Sequence, residues 1–280
     1  MWQAVKLGWG ALNYCWAGQR VYAWGMLEPQ IPQERERRGA PEQHRLLFGN
    51  RILDSLPPKE AERLAPAMRR VFLQRDQVVS RPGEPIAFFH FPIDAFAWSW
   101  TETTDTQRPT SVLTVGQRGV VEWNRVLATD FGNTCATIVS PGAAWRLPVE
   151  TFEQHQPQVQ SPLRKLLLRF ANASLLNAAC RLACNAEHNI DQRLARWLLY
   201  VADECGRLEF AITHQQIAEI AAIRRPSVSL ALSQFQREGL VRSQHGRLRL
   251  LEREQLEKMV CRCYWIIRNN ADGVFKASGA

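Results

Sequence analysis

No stretch of this sequence approaches the ~18–20 uninterrupted apolar residues that cross a bilayer. The longest apolar-looking segment, Ile86 to Trp100, is interrupted by His90 and Asp94. The opening residues, MWQAVKLGWGALNYCWAGQR, lack the continuous hydrophobic core of a secretory signal. A cytoplasmic location and no membrane partner are therefore expected. Cysteine is sparse and odd in number: Cys15, Cys135, Cys180, Cys184, Cys205, Cys261 and Cys263. Seven thiols scattered over a long chain do not build a disulfide framework, and they suit a reducing compartment. A nucleophile elbow, a phosphate loop and HExxH are missing as well, so the chain is not expected to be an enzyme.

Positive charge, by contrast, is in surplus. The net charge of +8 over 280 residues favours polyanionic partners, nucleic acid first, but carries no information about fold. The length allows two domains, each with its own core.

Texture divides the chain. Residues 1–45 hold four tryptophans (Trp2, Trp9, Trp16, Trp24) without periodicity, then a run broken by Pro29, Pro32, Gly39 and Pro41. They read as a poorly ordered extension and linker, the first part being either a small appended element or sequence upstream of the natural start. Residues 46–158 begin with a helix starting at Pro57 or Pro58, for which Ser55 is a plausible cap. From Arg69 to Arg146, short Val-, Phe-, Trp- and Thr-rich segments alternate with Pro-Gly punctuation. Strands at that spacing imply a β-roll or jelly roll, because the connections leave no room for crossover helices.

Residues 159–187 read as one long helix opened by Pro162. Along it Leu168, Ala171, Leu175, Ala178 and Leu182 recur at spacings of 3, 4, 3 and 4, the period of a two-helix seam. The pattern fits symmetric dimerisation; packing on the chain's own β-domain is the alternative. A second helix, Asp191 to Cys205, ends at Gly206.

Residues 188–265 carry the densest signal, ITHQQIAEIAAIRRPSVSLALSQFQREGLVRSQHGRLRL over 212–250. Thr213 and Gln216 form a capping box for a helix Gln215–Ala221. A break at Ala222-Ile223-Arg224 follows. Pro226 then restarts a helix and biases Arg225 out of the helical region. Val228, Leu232 and Phe235 make its buried face. Gly239 ends it, and Leu240-Val241 and Leu248–Leu250 read as strands joined at Gln244-His245-Gly246. Helix, turn, helix and hairpin in that order make a winged helix-turn-helix. Arg225, Ser227 and Ser229, with Arg224 and Pro226 beside them, open the recognition helix, where arginine suits guanine O6 and N7. Thr213, His214 and Gln215 open the preceding helix, where amides and side chains hold phosphate. The hairpin offers Arg242, His245, Arg247 and Arg249. Six arginines stand against two glutamates in this segment. Residues 266–280 read as a C-terminal tail. The fold class is thus α+β: an N-terminal β-roll sensor, a long dimerisation helix and a C-terminal winged helix.

The segment ITHQQIAEIAAIRRPSVSLALSQFQREGLV resembles the DNA-binding signature of the Crp/Fnr family of bacterial transcription regulators. The segments TVGQRGVV, VSPGAAWRLPVETF, CNAEHNIDQRLARWLLYVAD and RRPSVSLAL look like one branch of it, and the resemblance covers roughly 48–265. It implies phosphate contacts at Thr213, His214 and Gln215 and a base-reading arginine at Arg225. Pro226 replaces an often acidic residue, and Leu230 stands where a second arginine is common. It also implies an effector pocket at Gly119, Glu122, Asn133 and Thr134. Glu122 can fill a ribose role, but Asn133 or Thr134 occupies the place of the arginine that would meet a cyclic phosphate. A buried anion without a cation is costly, which argues against a cyclic nucleotide.

Iron–sulfur members of that family gather N-terminal cysteines. Only Cys15 and Cys135 precede residue 180, too few for a cluster. Cys180 with Cys184, and Cys261 with Cys263, each lack a second pair at zinc-site spacing, so no metal is expected; packing is the plainer reading for Cys180 and Cys184, and redox sensing is the alternative. His90 has the ligand type for haem, but a strand-face histidine is the more ordinary reading. No cofactor is assigned and the effector is left unknown. The expected function is a homodimeric, sequence-specific DNA-binding transcriptional regulator reading a pseudo-palindrome in the major groove. Its expected partners are double-stranded DNA, a second copy and RNA polymerase. The alternative is a ligand- or protein-binding β-roll whose helix-turn-helix does not engage DNA.

Overall fold

The computed structural model describes residues 48–102 and 109–276, and the expectations for residues 1–45 lie outside them. The chain opens with α1 (Arg51–Asp54), capped by the buried Asn50, whose side-chain oxygen accepts from the Ile52 and Leu53 amides. Helix α2 (Pro58–Leu64) starts on Pro57 without a side-chain cap. Ser55 closes α1 instead, donating to the Arg51 carbonyl at 2.7 Å. The cap expected of Ser55 belongs to the helix before it.

Seven strands follow: β1 (Arg69–Leu73), β2 (Val78–Ser80), β3 (Phe88–Pro92), β4 (Phe96–Glu102), β5 (Pro109–Val115), β6 (Cys135–Ser140) and β7 (Gly142–Pro148). They form two antiparallel sheets of order β1-β7-β3 and β2-β6-β4-β5. Leu73, Ala97, Leu113, Val115, Ile138 and Ala144 fill the roll. A second layer packs Phe89, Phe91 and Leu147 against Phe152 of α3 (Val149–His155) and against Leu163 and Leu167 of α4 (Pro162–Glu187). Each such fully buried side chain stabilises the fold by roughly 1.5–3 kcal/mol.

Helix α4 runs 26 residues without a break, about 39 Å at the usual rise. Its expected seam splits between two environments. Leu175 and Leu182 are exposed, at 56% and 72% of their full surface, but Ala171 is buried in the chain's own core and Ala178 is half-buried. Leu168 packs half-buried against that same core. Ala171, covered by the chain's own core, is therefore not free to join the seam. A straight helix drifts against a 3.5-residue repeat, so one heptad register crosses from the β-roll side to the open side. Along the second half of α4, the apolar residues exposed among the described residues are Leu175, Leu176, Ala179, Leu182, Ala183 and Ala186.

Helix α5 (Ile190–Cys205) begins with Asn189 and Gln192 in a capping box and ends on Gly206. The roll is fastened to it at Gly116. There a β-carbon would lie 2.2 Å from the Glu204 carbonyl oxygen, so only glycine admits the approach. The Gly116 amide donates to Glu204 Oε2 at 3.3 Å and the Gln117 amide to the Glu204 carbonyl at 2.8 Å.

The last core gathers Trp197, Leu198, Ile217, Ile220, Val228, Leu232, Phe235 and Leu248. They come from α5, α6 (His214–Ala221), α7 (Arg225–Arg237) and a sheet of order β8-β10-β9, where β8 is Glu209–Ala211, β9 Val241–Gln244 and β10 Arg247–Leu250. Strand β8 was not legible as a strand. Helices α8 (Arg253–Met259) and α9 (Arg262–Gly273) follow. Helix α9 occupies part of the stretch read as a tail. Asn270 donates to Asn177 of α4 at 3.1 Å, and Asp272 pairs with Arg118 of the roll.

Candidate nucleic-acid interface

Helix α6 forms because Thr213 and Gln216 satisfy each other's orphan groups. The Gln216 amide donates to Thr213 Oγ1 at 3.2 Å and the Thr213 amide to Gln216 Oε1 at 3.0 Å. Ala222 ends it in a left-handed conformation. The break spans Ala222 to Arg224 as expected, but the second helix restarts one residue earlier than expected. Arg224 is the extended N-cap and Arg225 is already helical, because Pro226 sits within the first turn, where its missing donor costs nothing. The expectation that Pro226 holds Arg225 out of the helix is corrected accordingly.

With Val228, Leu232 and Phe235 buried, α7 leaves Arg225, Pro226, Leu230, Ser233 and Arg237 exposed. Leu230 shows 70% of its surface, an unusual placement for leucine. Arg224, Arg225 and Arg242 form no ion pair among the described residues, and His245 sits at the exposed turn of the wing. Ser227 is half-buried. Gln215 is exposed and donates to Glu219 at 2.6 Å.

Besides Thr213 and Gln215, three more expected contact residues are engaged within the protein. His214 Nδ1 lies 3.0 Å from Ser229 Oγ and its Nε2 3.1 Å from Ser243 Oγ, so this side chain joins α6, α7 and the wing. Arg247 pairs with Glu209 across the sheet at 3.3 Å, although both remain exposed. Burial, then the nearby Arg225 charge, lower the His214 pKa and keep the ring neutral.

In the roll, Glu122, Asn133 and Thr134 line one cavity of about 200 Å³ with Asn124, Trp123 and Ser174. Glu122 holds a left-handed backbone and lies 3.0 Å from His90 Nδ1. Burial raises the Glu122 pKa and the His90 contact opposes that. Among the described residues, no arginine or lysine lines the cavity. Gly119 does not line it; a β-carbon there would press on Phe170 of α4 at 2.7 Å, so the glycine serves close packing.

One grouping was invisible to spacing arguments. Cys184 and His188 at the end of α4 meet Cys261 and Cys263 at the start of α9, with all four ligand atoms within 4.8 Å of one another. The two halves lie 73 residues apart in the chain (His188 to Cys261), and only the α4–α9 packing unites them.

The architecture is a β-roll, a long helix with an open apolar stripe and a winged helix-turn-helix, followed by α8 and α9. Residues 192–259 match the family described as the Crp-like helix-turn-helix domain. The transcriptional regulator LdrP of Thermus thermophilus is 35% identical over 72 residues, 24% of this chain and 37% of that protein. The chain thus matches little more than a third of that curated relative's length. Over larger spans the fold is shared with FixK2 of Bradyrhizobium japonicum (TM-score 0.59, 15% identity, 69% of this chain and 98% of that one). It is also shared with a transcriptional regulator of the Crp/Fnr family from Eubacterium rectale (TM-score 0.56, 14% identity, 75% and 98%). Among the described residues no helix is long and apolar enough to cross a membrane.

Proposed function

We propose that the chain is a homodimeric, sequence-specific transcriptional regulator that reads a pseudo-palindromic operator with α7 in the major groove. The observation that carries this reading is the free first turn of α7: Arg225 is exposed and without an ion pair among the described residues, beside Arg224 and ahead of the exposed Leu230 and Ser233. Arginine at that position suits guanine, and Leu230 suits a thymine methyl group. His214 acts by holding α7 against α6 and the wing, while Thr213, Gln215 and Arg242 meet phosphate. The open stripe of α4 supplies the dimer seam, which places two recognition helices about 34 Å apart. Partners are double-stranded DNA, a second copy and RNA polymerase.

The sensor cavity is smaller than the ~300 Å³ of ordinary ligand pockets and its carboxylate is held by His90. A small neutral ligand suits that lining, and a cyclic phosphate does not. Selection of binding sites from random DNA tests the reading. A recurring palindrome with a thymine facing Leu230 supports it, and no enrichment in repeated rounds promotes the reading of a β-roll module that leaves DNA alone.

A further inference from the structure

From the convergence of Cys184, His188, Cys261 and Cys263, we infer a structural zinc site that fastens α9 to the end of α4. Cys184 lies in the last turn of α4, and His188, four residues on, is the extended C-cap residue that closes it. Cys261 is the N-cap of α9 and Cys263 its second residue. Cys184 Sγ lies 3.5 Å from Cys261 Sγ, and Cys263 Sγ lies 3.8 Å from His188 Nδ1. A tetrahedral Zn²⁺ with bonds near 2.3 Å to sulfur spaces its thiolates about 3.8 Å apart. The observed separations are those of ligands around one ion, whereas an iron–sulfur cluster holds its thiolates wider because inorganic sulfide lies between them. A disulfide needs sulfurs at about 2.05 Å, well inside the 3.5 Å found.

The charge balance fits. Three thiols and one neutral imidazole binding Zn²⁺ release three protons and leave a centre of net charge −1. Arg196 is 3% exposed, acts electrostatically on Cys184, and its Nε has no hydrogen-bond partner among the described residues. A buried guanidinium of that kind answers an anionic centre. Cys261 is the N-cap residue of a twelve-residue helix and so stands at the positive end of its dipole, where negative charge is stabilised, although its side chain makes no capping hydrogen bond. Cys180 stands one turn back and donates to the Cys263 carbonyl at 3.8 Å, so this fourth thiol supports the start of α9 without joining the three thiols and the imidazole.

The site lies where α4 gives way to α5. Arg193, which also feels Cys184, donates to the Ala222 carbonyl in the turn between α6 and α7 at 2.7 Å. Zinc would therefore set the hinge between the long helix and the winged-helix domain.

The full-length protein, purified in reducing buffer without added chelator, should carry one zinc per chain by mass spectrometry of metals. Cobalt exchanged into it should show the visible and near-ultraviolet thiolate bands of a tetrahedral sulfur-rich site. Cys261→Ser and Cys263→Ser should each lower zinc well below one per chain, while Cys135→Ser should leave it at one. Cobalt titration of the unmutated protein stands independently of whether the serine variants fold. Iron in place of zinc, a Cys184–Cys261 disulfide in acid-quenched cells, or neither zinc nor cobalt bands would each overturn the assignment. DNA binding is not read in any of these measurements, so the outcome is separable from that of the operator selection.

Discussion

His214 and Ser229 share a hydrogen bond of 3.0 Å between the two helices of the winged-helix domain, and the same imidazole reaches Ser243 on the wing. The ring is thereby a strut. His214→Ala removes two hydrogen bonds and leaves two hydroxyls unpaired, a loss of about 1–3 kcal/mol. Thermal denaturation should register it, while the preferred DNA sequence stays the same. The pH sign follows from the lowered pKa. The unfolded chain takes up its proton near the ordinary value of 6.5 and the folded one resists, so stability falls as pH drops through that value. In His214→Gln this acid component should vanish.

Arg225 and Arg242 should separate specificity from affinity. Arg225 sits in the first turn of α7 and Arg242 on the wing, both exposed. Arg225→Ala should cost about 1–3 kcal/mol of discrimination at one base pair. Arg242→Ala should weaken all sequences alike and reduce the salt slope by about one. Fluorescence anisotropy over a set of single-base operator variants distinguishes the two. If Arg225→Ala leaves both affinity and preference intact, α7 is not the reading helix.

How much of this was legible depended on how local the cause was. The capping box of Thr213 and Gln216, the proline restart and the buried Val228, Leu232 and Phe235 are interactions within a few residues, and the sequence displays them directly. Strand β8 has three residues, too few to show a period, and exists because β10 offers it an edge. The fates of Ala171 and Gly119 depend on which face of α4 meets the roll, which no spacing reveals. Ser229 looked outward by its neighbours' pattern, yet a histidine fifteen residues earlier claims its hydroxyl. The four-ligand cluster is the extreme case: each half is ordinary alone, and only the docking of α9 joins them.

The open stripe of α4 gives a test of assembly. Leu182 exposes 72% and Leu175 56% of their surfaces, without a partner among the described residues to cover them. Leu182→Asp would bury a charge in the seam of the proposed dimer. Sedimentation velocity should then show a monomer, and affinity for a palindrome should drop about 10²-fold or more as bivalent engagement is lost. The same change at Leu230, also exposed, should leave the dimer intact. A dimer that survives Leu182→Asp would place the seam elsewhere.

Glu204 makes stability fall with rising pH. Its carboxyl is buried at the junction of α5 with the β-roll, and burial lifts its pKa to about 7, with Arg118 and the Gly116 amide opposing. In the unfolded chain the same group ionises near 4.5. The folded state therefore holds the proton longer. Stability from this group is full below about pH 4.5 and is lost as pH rises to about 7. Ionising the buried carboxyl across that whole window removes stability on the order of 3 kcal/mol. Glu204→Gln keeps an acceptor for the Gly116 amide and removes the titration. Urea denaturation on either side of the window should show the variant matching the parent at the acid end and exceeding it at the alkaline end. Parallel curves for the two proteins would mean that the carboxyl ionises freely at this junction and that Arg118 alone compensates its charge.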